Sequence, residues 1–555
     1  NAGSDAAAAG GGGGEYTVDS VSALSAARAA AFQNPLPDAL TFLDAHPGAV
    51  PHLVAHKGVQ RSRVAMSQLR RLFPHLQALV GEEEEEEGNI SQSTLPLVEV
   101  TYNVGGDEHA LDGRALRGLR VGVVFCGRQS PGGHNIVEGI VKTIKRGCVG
   151  DSATVFGFRE GTRGLFAGDV VEITEELLTS TTARNHGGYH LLGRSVDCMH
   201  LRDNLAAIEK VVSALQLDGL VCIGGTHTAC DVAVVANYLR GKTSPTEPKQ
   251  GAYFPAMCTV VAVPATIDGD MVNAYVPATV GFHSNARVCA QLVGNIASDC
   301  NSAKKYWYWI RMMGRRPSHV ALEVALQTCP NACLIGEKIQ REQKSLAEVV
   351  SDVADLVCRR HAEEGKNFGV ILVPEGLLTF IPEMAALFRD LEACKGDVAA
   401  LSPWGRALFD YLPEYIRSEL LLAREIHGTP QLSQIETEKM MRELVGRELG
   451  KRKTAGTYTG TYKTVSYFAG YQARCGFPSA FDAALGETLG ATAALLVLRD
   501  GGSGGQPVKF SGYLASCRNL NGGAGGDGGA GGNSGNSGNS GNSGNSGNSG
   551  NSGNS

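Results

Sequence analysis

Four short runs of branched apolar residues stand out in the chain, each ending in a glycine-rich or acidic turn. They are Leu119 to Cys126 (LRVGVVFC), Asp218 to Gly225 (DGLVCIGG), Cys258 to Asp270 (CTVVAVPATIDGD) and Asn367 to Gly376 (NFGVILVPEG). Continuous apolar runs, rather than an in-out alternation, predict strands buried on both faces, as in parallel sheets covered by helices. The segments after the first two, HNIVEGIVKTIKRG and TACDVAVVANYLR, have helical spacing. Strand and helix in alternation predict an α/β fold: two Rossmann-like three-layer domains with mainly parallel sheets facing a cleft. An N-terminal helical extension and a later helical insertion complete that expectation. In such folds ligands gather at the carboxyl ends of the strands, so chemistry is sought in the turns that follow the four runs.

Composition divides the chain further. Residues 1–17 read as a low-complexity tail, and 18–95 as the helical extension, carrying six consecutive glutamates between Gly81 and Gly88. Residues 96–280 and 281–402 read as the two α/β domains, and 403–455 as the helical insertion. Residues 456–520 are expected to return and complete the second domain, and 521–555 to form a disordered Gly/Asn/Ser linker, since that tract has no apolar side chains to bury.

The 555 residues are 43% hydrophobic and 19% charged, a globular composition. With 50 Lys plus Arg against 56 Asp plus Glu, the net charge of -6 excludes whole-protein attraction to nucleic acid. No apolar stretch is expected to reach the roughly 18 to 20 residues of a membrane helix. The first residues lack the basic and apolar regions of a signal peptide, and the 14 cysteines are scattered without a CxxC pair. Reduced thiols in a cytoplasmic protein, without a zinc site, are therefore expected. The chain begins with Asn, so the native start is expected upstream.

Several turns carry candidate chemistry. Gly127 to Gly133 (GRQSPGG) joins a strand to a helix, where glycines let backbone N–H groups approach an anion and Arg128 adds a forked donor. The same glycines would also serve a tight turn with no ligand. Thr266 to Asp270 (TIDGD) offers two carboxylates, one suited to accept a proton and the other to hold a metal; an Asx-turn is the alternative. Ala303 to Arg315 combines an aromatic strand with flanking cations, of which Arg315 suits a phosphate and the aromatics suit a core. Glu375 stands at a strand end, and Tyr471 to Arg474 sets another arginine beside an aromatic.

Taken in order, VVFCGRQSPGGHNIVEG, VPATIDGDMVN, VGFHSNARVCAQLVGN, KKYWYWIRMMGRRPSHVALEVALQTCPNACLIGE, VPEGLL, PQLSQIETEK and YFAGYQARCGFPSAFD resemble the long-chain pyrophosphate-dependent phosphofructokinases, from about Ser25 to Asn521. The resemblance implies a glycolytic transferase that moves a phosphoryl group from diphosphate to the 1-hydroxyl of fructose 6-phosphate with Mg²⁺. It makes 96–280 the diphosphate-binding domain and 281–402 the fructose 6-phosphate-binding domain. Gly127 and Arg128 match the diphosphate loop. Thr266, Ile267 and Asp268 match the sugar-contacting turn, with Asp268 as general base. Lys305 and Tyr306 match sugar-phosphate residues supplied across a subunit interface. Met313, Gly314, Arg315, Glu375, Tyr471, Gln472, Ala473 and Arg474 match the rest of the sugar pocket.

Two departures fall on the donor side. Where active members carry Gly-Gly-Asp-Asp-Ser, this chain has Gly224-Gly225-Thr226-His227-Thr228, leaving Asp270 as the expected metal ligand. Where they carry a lysine that neutralises developing charge, it has Val272. ATP users of this fold carry Gly-Gly-Asp-Gly at that loop, also absent here. Two readings follow: an active enzyme, or an impaired regulatory copy that binds sugar phosphate and pairs with a catalytic copy. Either implies a homo- or hetero-oligomer, or a second phosphofructokinase copy in the same polypeptide. The last part of the domain is expected to lie beyond this sequence. No nucleic acid or membrane partner is expected.

Overall fold

Each apolar run becomes a strand. The computed structural model describes residues 50–57, 96–103, 119–147, 153–180, 183–242, 255, 258–272, 276–315, 317–421, 434–501 and 513–515. Contacts divide the chain into Asn1–Cys517 and Arg518–Ser555, and the second unit lies outside the described residues. So do the low-complexity tail and the acidic run.

Strands β1 (Val50–Lys57) and β2 (Pro96–Asn103) pair antiparallel as a separate two-stranded sheet. The first large sheet gathers β3 (Arg120–Phe125), β4 (Thr154–Phe158), β5 (Val170–Glu172), β6 (Gly219–Gly224) and β7 (Thr259–Thr266), with β8 (Val280–Gly281) beside the end of β7. The second contains β9 (Trp307–Met312), β10 (Ala332–Cys333), β11 (Gly369–Pro374) and β12 (Thr464–Ala469), all parallel, in the order β10-β11-β9-β12. A last strand, β13 (Tyr513–Leu514), returns to the first sheet, whose order is β13-β7-β6-β3-β4-β5. There only β5 runs antiparallel.

Both sheets are covered on two faces, which is why their strands are apolar throughout. Val121, Val123 and Phe125 face one core layer and Val124 the other. Helices α1 (Gly133–Gly147), α2 (Thr226–Arg240), α3 (Phe282–Ala303), α4 (Leu346–Glu364), α5 (Thr437–Thr454), α6 (Tyr471–Arg474) and α7 (Ala480–Gly501) supply much of that cover. Trp307 and Trp309 are fully buried beneath α4 and α5, so these tryptophans belong to the core. α1 and α7 cross backbone to backbone: a Cβ on Gly139 would meet the Glu487 carbonyl at 2.1 Å, and one on Gly490 the Ile136 carbonyl at 2.0 Å.

The structure corrects three expectations. The helical extension contains a strand, β1; the rest of 18–95 lies outside the described residues. The return segment does not complete the second domain alone: β12 and α6 do so, whereas α7 and β13 join the first. The stretch Ala480–Val497 of α7 is long and apolar enough to cross a membrane by length and composition, although none was expected to be. It is 67% buried in this fold, and it lies against α1 within the first core. The expected insertion holds the helices Pro403–Tyr411 and Glu414–Leu421 as well as α5.

Candidate active site

The first and second sheets point the carboxyl ends of β3, β7, β9 and β11 at one cleft. After β3, Gly127 takes φ 71, which an L side chain rarely adopts. Its N–H donates to the Ser195 carbonyl at 2.9 Å, and its own carbonyl accepts from Arg194 Nη1 at 3.1 Å. No atom comes within 4 Å of where a Gly127 side chain would begin, so the loop is open on that side. Ser130 Oγ donates to the Val280 carbonyl at 2.6 Å, tying the loop to β8. Arg128 Nη1 lies 4.0 Å from Glu375 Oε1 and so reaches the second domain.

After β7 the chain turns through Thr266, Ile267 and Asp268. Thr266 Oγ1 accepts from the Asp268 amide at 3.1 Å, an ST-type turn that fixes where the carboxylate starts. Ile267 is fully buried, so its side chain anchors the turn. Asp268 is only 8% exposed. Its Oδ1 accepts from the Arg315 amide at 3.2 Å and lies 3.8 Å from Arg474 Nη2.

After β9, Met313 donates its amide to the Ala469 carbonyl at 3.1 Å, binding the turn to β12. Its Sδ accepts from Arg474 Nε at 2.7 Å. The Gly314 amide donates to Glu375 Oε2 at 3.0 Å. Burial pushes the Glu375 carboxyl up, against the Gly314 amide and the Arg128, Arg474 and Arg311 charges that pull it down. Arg474 Nη1 donates to the Gln129 carbonyl at 3.4 Å, so a sugar-side arginine touches the donor loop. Burial lowers the Arg474 guanidinium from its ordinary value, and Asp268 opposes this. Arg474 Nη2 and Glu375 Oε1, both buried, have no hydrogen-bond partner. A hydroxylated, anionic ligand would satisfy both.

The donor side differs. Thr226 and His227 open α2 and are exposed, with Gly225 as an N-cap that offers no side-chain bond. Thr226 Oγ1 donates to Asp270 Oδ2 at 2.7 Å, where a metal ligand was expected. Val272 is 54% exposed. Among the described residues no three His, Cys, Asp or Glu side chains come together as a metal cluster. Asp270 is thus an exposed acid with one carboxylate oxygen hydrogen-bonded by Thr226, and Mg²⁺, which proteins commonly hold through one or two carboxylates together with substrate phosphates, would meet this carboxylate on that side of the cleft.

The structure does not bring every expected residue to the cleft. Lys305 and Tyr306 precede β9 and Met313 to Arg315 follow it, so the six-residue strand, about 20 Å long, separates them. Tyr471 is 48% exposed and Ala473 is buried in the second core. Gln472 turns back on its own domain, donating to the Phe468 carbonyl and the Tyr467 hydroxyl at 3.3 Å each. Of that tetrapeptide, Arg474 reaches the turn after β7, at Asp268. Sequence reasoning missed Arg194 and Gln129, which shape the donor loop. It also missed His134 behind that loop, where burial holds the imidazole neutral, lowering it to about 3. The Gly-Arg-Ser setting of Arg194 was a signal that could have been read.

A family model described as Phosphofructokinase matches residues 120–497. The pyrophosphate–fructose 6-phosphate 1-phosphotransferase of Treponema pallidum (strain Nichols) is 38% identical over 422 residues, 73% of this chain and 69% of that protein. Its namesake subunit alpha 1 from Arabidopsis thaliana is 40% identical over 73% of this chain and 63% of the relative. Subunit beta from Solanum tuberosum is 39% identical over 68% and 65%. The chain thus spans about two thirds of the length of these curated relatives. A crystal structure of a pyrophosphate-dependent phosphofructokinase from Nitrosospira multiformis aligns with TM-score 0.46 at 15% identity, covering 69% of this chain and 77% of that one.

Proposed function

The chain belongs to the phosphofructokinase family, and on that premise we propose that it transfers a phosphoryl group from diphosphate to the 1-hydroxyl of fructose 6-phosphate, giving fructose 1,6-bisphosphate. The observation that carries the reading is the meeting of Asp268, Arg315, Glu375 and Arg474 at one cleft opposite the Gly127 loop.

The steps follow from those positions. Glu375, set in place by the Gly314 amide, receives the sugar hydroxyls, and Arg315 and Arg474 receive its phosphate, Arg474 from a buried and pre-set position. Asp268 takes the proton of the 1-hydroxyl as the oxygen attacks the terminal phosphorus of diphosphate. The bond from that phosphorus to the bridging oxygen breaks, and phosphate leaves. Arg128 holds the diphosphate over the side of the Gly127 loop that the glycine leaves clear. Phosphofructokinases generally use Mg²⁺; here Asp270 together with the oxygens of diphosphate would hold it, and it would supply neutralisation of the charge on the transferring group.

Lys305 and Tyr306, remote from the cleft of their own chain, suit a neighbouring copy's sugar phosphate. Plant relatives are named as alpha and beta subunits, which supports a hetero-oligomer, and a homo-oligomer answers the same geometry. A cytoplasmic location belongs to the same proposal.

One contact favours a second reading. The Thr226 hydroxyl bonded to Asp270, together with the exposed Val272, suits a copy that binds sugar phosphate and leaves phosphoryl transfer to a catalytic partner. An aldolase-coupled assay of the chain alone, paired with calorimetry of fructose 6-phosphate, separates the two. Turnover with diphosphate supports the enzyme; binding without turnover supports the regulatory copy.

A further inference from the structure

The PQLSQIETEK stretch stands outside the steps above, yet its acid is buried against the strand that builds the sugar pocket. Glu438 lies in the first turn of α5, where the helix N-terminus favours a negative charge. Its Oε2 sits 2.8 Å from Arg311 Nε, with each side chain 4% exposed. Arg311 Nη1 also donates to the Ile435 carbonyl, and the guanidinium stands 4.0 Å from the centre of the Phe468 ring. Arg311 is therefore held from α5, from Ile435 just before that helix, and from β12.

Arg311 lies beside Val373 of β11, two residues before Glu375, and three residues before Gly314. From there the contacts run straight into the pocket. The Met312 carbonyl accepts from the Glu375 amide at 2.9 Å, and the Gly314 amide donates to Glu375 Oε2. Without the Glu438 carboxylate, the charge of this buried guanidinium would fall on the remaining acids that face it, Glu375 after β11 and Glu419 on the helix Glu414–Leu421.

We propose that Glu438 is a positioning residue of the sugar pocket, acting through Arg311 to hold the end of β9 so that the Gly314 amide meets Glu375. The proposal rests on the sugar-binding reading of the previous subsection. The groups facing Glu375 are Arg311 from β9, Gly314 from the turn after it, Arg128 from the loop after β3 and Arg474 from α6. Glu438 neutralises Arg311 within that set, and thereby sets how much positive charge Glu375 feels.

The test is calorimetry of fructose 6-phosphate with the whole chain from acid to neutral pH, for the unaltered protein, Glu438→Gln, Glu438→Asp and the double variant Arg311→Met/Glu438→Met. Glu438→Gln is expected to weaken binding about tenfold and to move the acid midpoint of binding down by about half a pH unit, because the Arg311 charge, no longer offset by Glu438, favours ionised Glu375. Glu438→Asp should restore the midpoint. The double variant guards against misfolding of the first, since apolar replacement of a buried ion pair is often tolerated. Lacking the Arg311 charge, it should move the midpoint the opposite way. Weaker binding with an unmoved midpoint in both, or no change at all, would overturn the proposal. No binding by the unaltered chain would instead overturn the sugar-binding reading, and the proposal with it.

Discussion

Arg474 Nη2 lies 3.8 Å from Asp268 Oδ1, and both side chains are nearly sealed from solvent. The arginine comes from a short helix after β12 and the aspartate from the turn after β7, so this pair joins the two domains at the reacting end of the cleft. Arg474 also touches the donor loop through the Gln129 carbonyl. One guanidinium thus connects the turns after β3, β7 and β9.

Arg474→Lys should therefore harm more than one step. A lysine offers no fork to share among Met313, Gln129 and Asp268. The expected outcome is a loss of fructose 6-phosphate affinity of about tenfold to a hundredfold, measured by calorimetry, with the fold retained by circular dichroism.

Asp268→Asn should separate binding from chemistry. The amide keeps the size of the side chain but cannot accept the hydroxyl proton. Turnover is expected to fall by about 10²- to 10⁴-fold while fructose 6-phosphate still binds, read from initial rates alongside calorimetry.

Thr226→Asp with Val272→Lys should strengthen the donor side. The first adds a carboxylate beside Asp270, and the second places a cation where charge develops. A restored donor of this kind is worth about 3 kcal/mol, so diphosphate-dependent turnover should rise by about a hundredfold. Mn²⁺ binding followed by electron paramagnetic resonance should tighten for Thr226→Asp alone.

Glu375 gives a pH signature. Burial raises its carboxyl above the unfolded value, so the folded state binds the proton more tightly. Its contribution to stability is present below the unfolded value and is lost as pH rises through the raised one. Glu375→Gln should make thermal unfolding less dependent on pH in that window. Sugar binding, which uses the ionised form, should weaken on acidification in the unaltered chain and lose that dependence in the variant.

The helix crossing supplies a test of the fold. Gly139→Ala or Gly490→Ala forces a methyl into a facing backbone carbonyl. Each should destabilise the first domain by about 1–3 kcal/mol, seen as a lower Tm, with sugar binding to the surviving folded fraction unchanged.

Much of the architecture was legible because its strands are Val-rich and doubly buried: β3, β6, β7 and β11 each fall inside a run visible in the sequence. The candidate turns were legible for the same reason, since Thr266 closes β7, Asp268 follows it and Glu375 follows β11. What could not be read was partnership. The apolar helix α7 signals burial in the sequence, but nothing in its periodicity says that it returns to the first sheet. Gln472 and Tyr471 looked like pocket residues by proximity to Arg474, whereas a single helical turn sends each side chain elsewhere. Arg194 carries no periodic signal in its irregular loop, so beyond its Gly-Arg-Ser setting only the bond from its guanidinium to the Gly127 carbonyl reveals its place.

The most direct measurement is the initial rate of fructose 1,6-bisphosphate formation by this chain from fructose 6-phosphate, with diphosphate and, separately, with ATP as donor. The account predicts turnover that depends on diphosphate, disappears in Asp268→Asn and is not supported by ATP. A chain that binds fructose 6-phosphate but shows no turnover with diphosphate would contradict it.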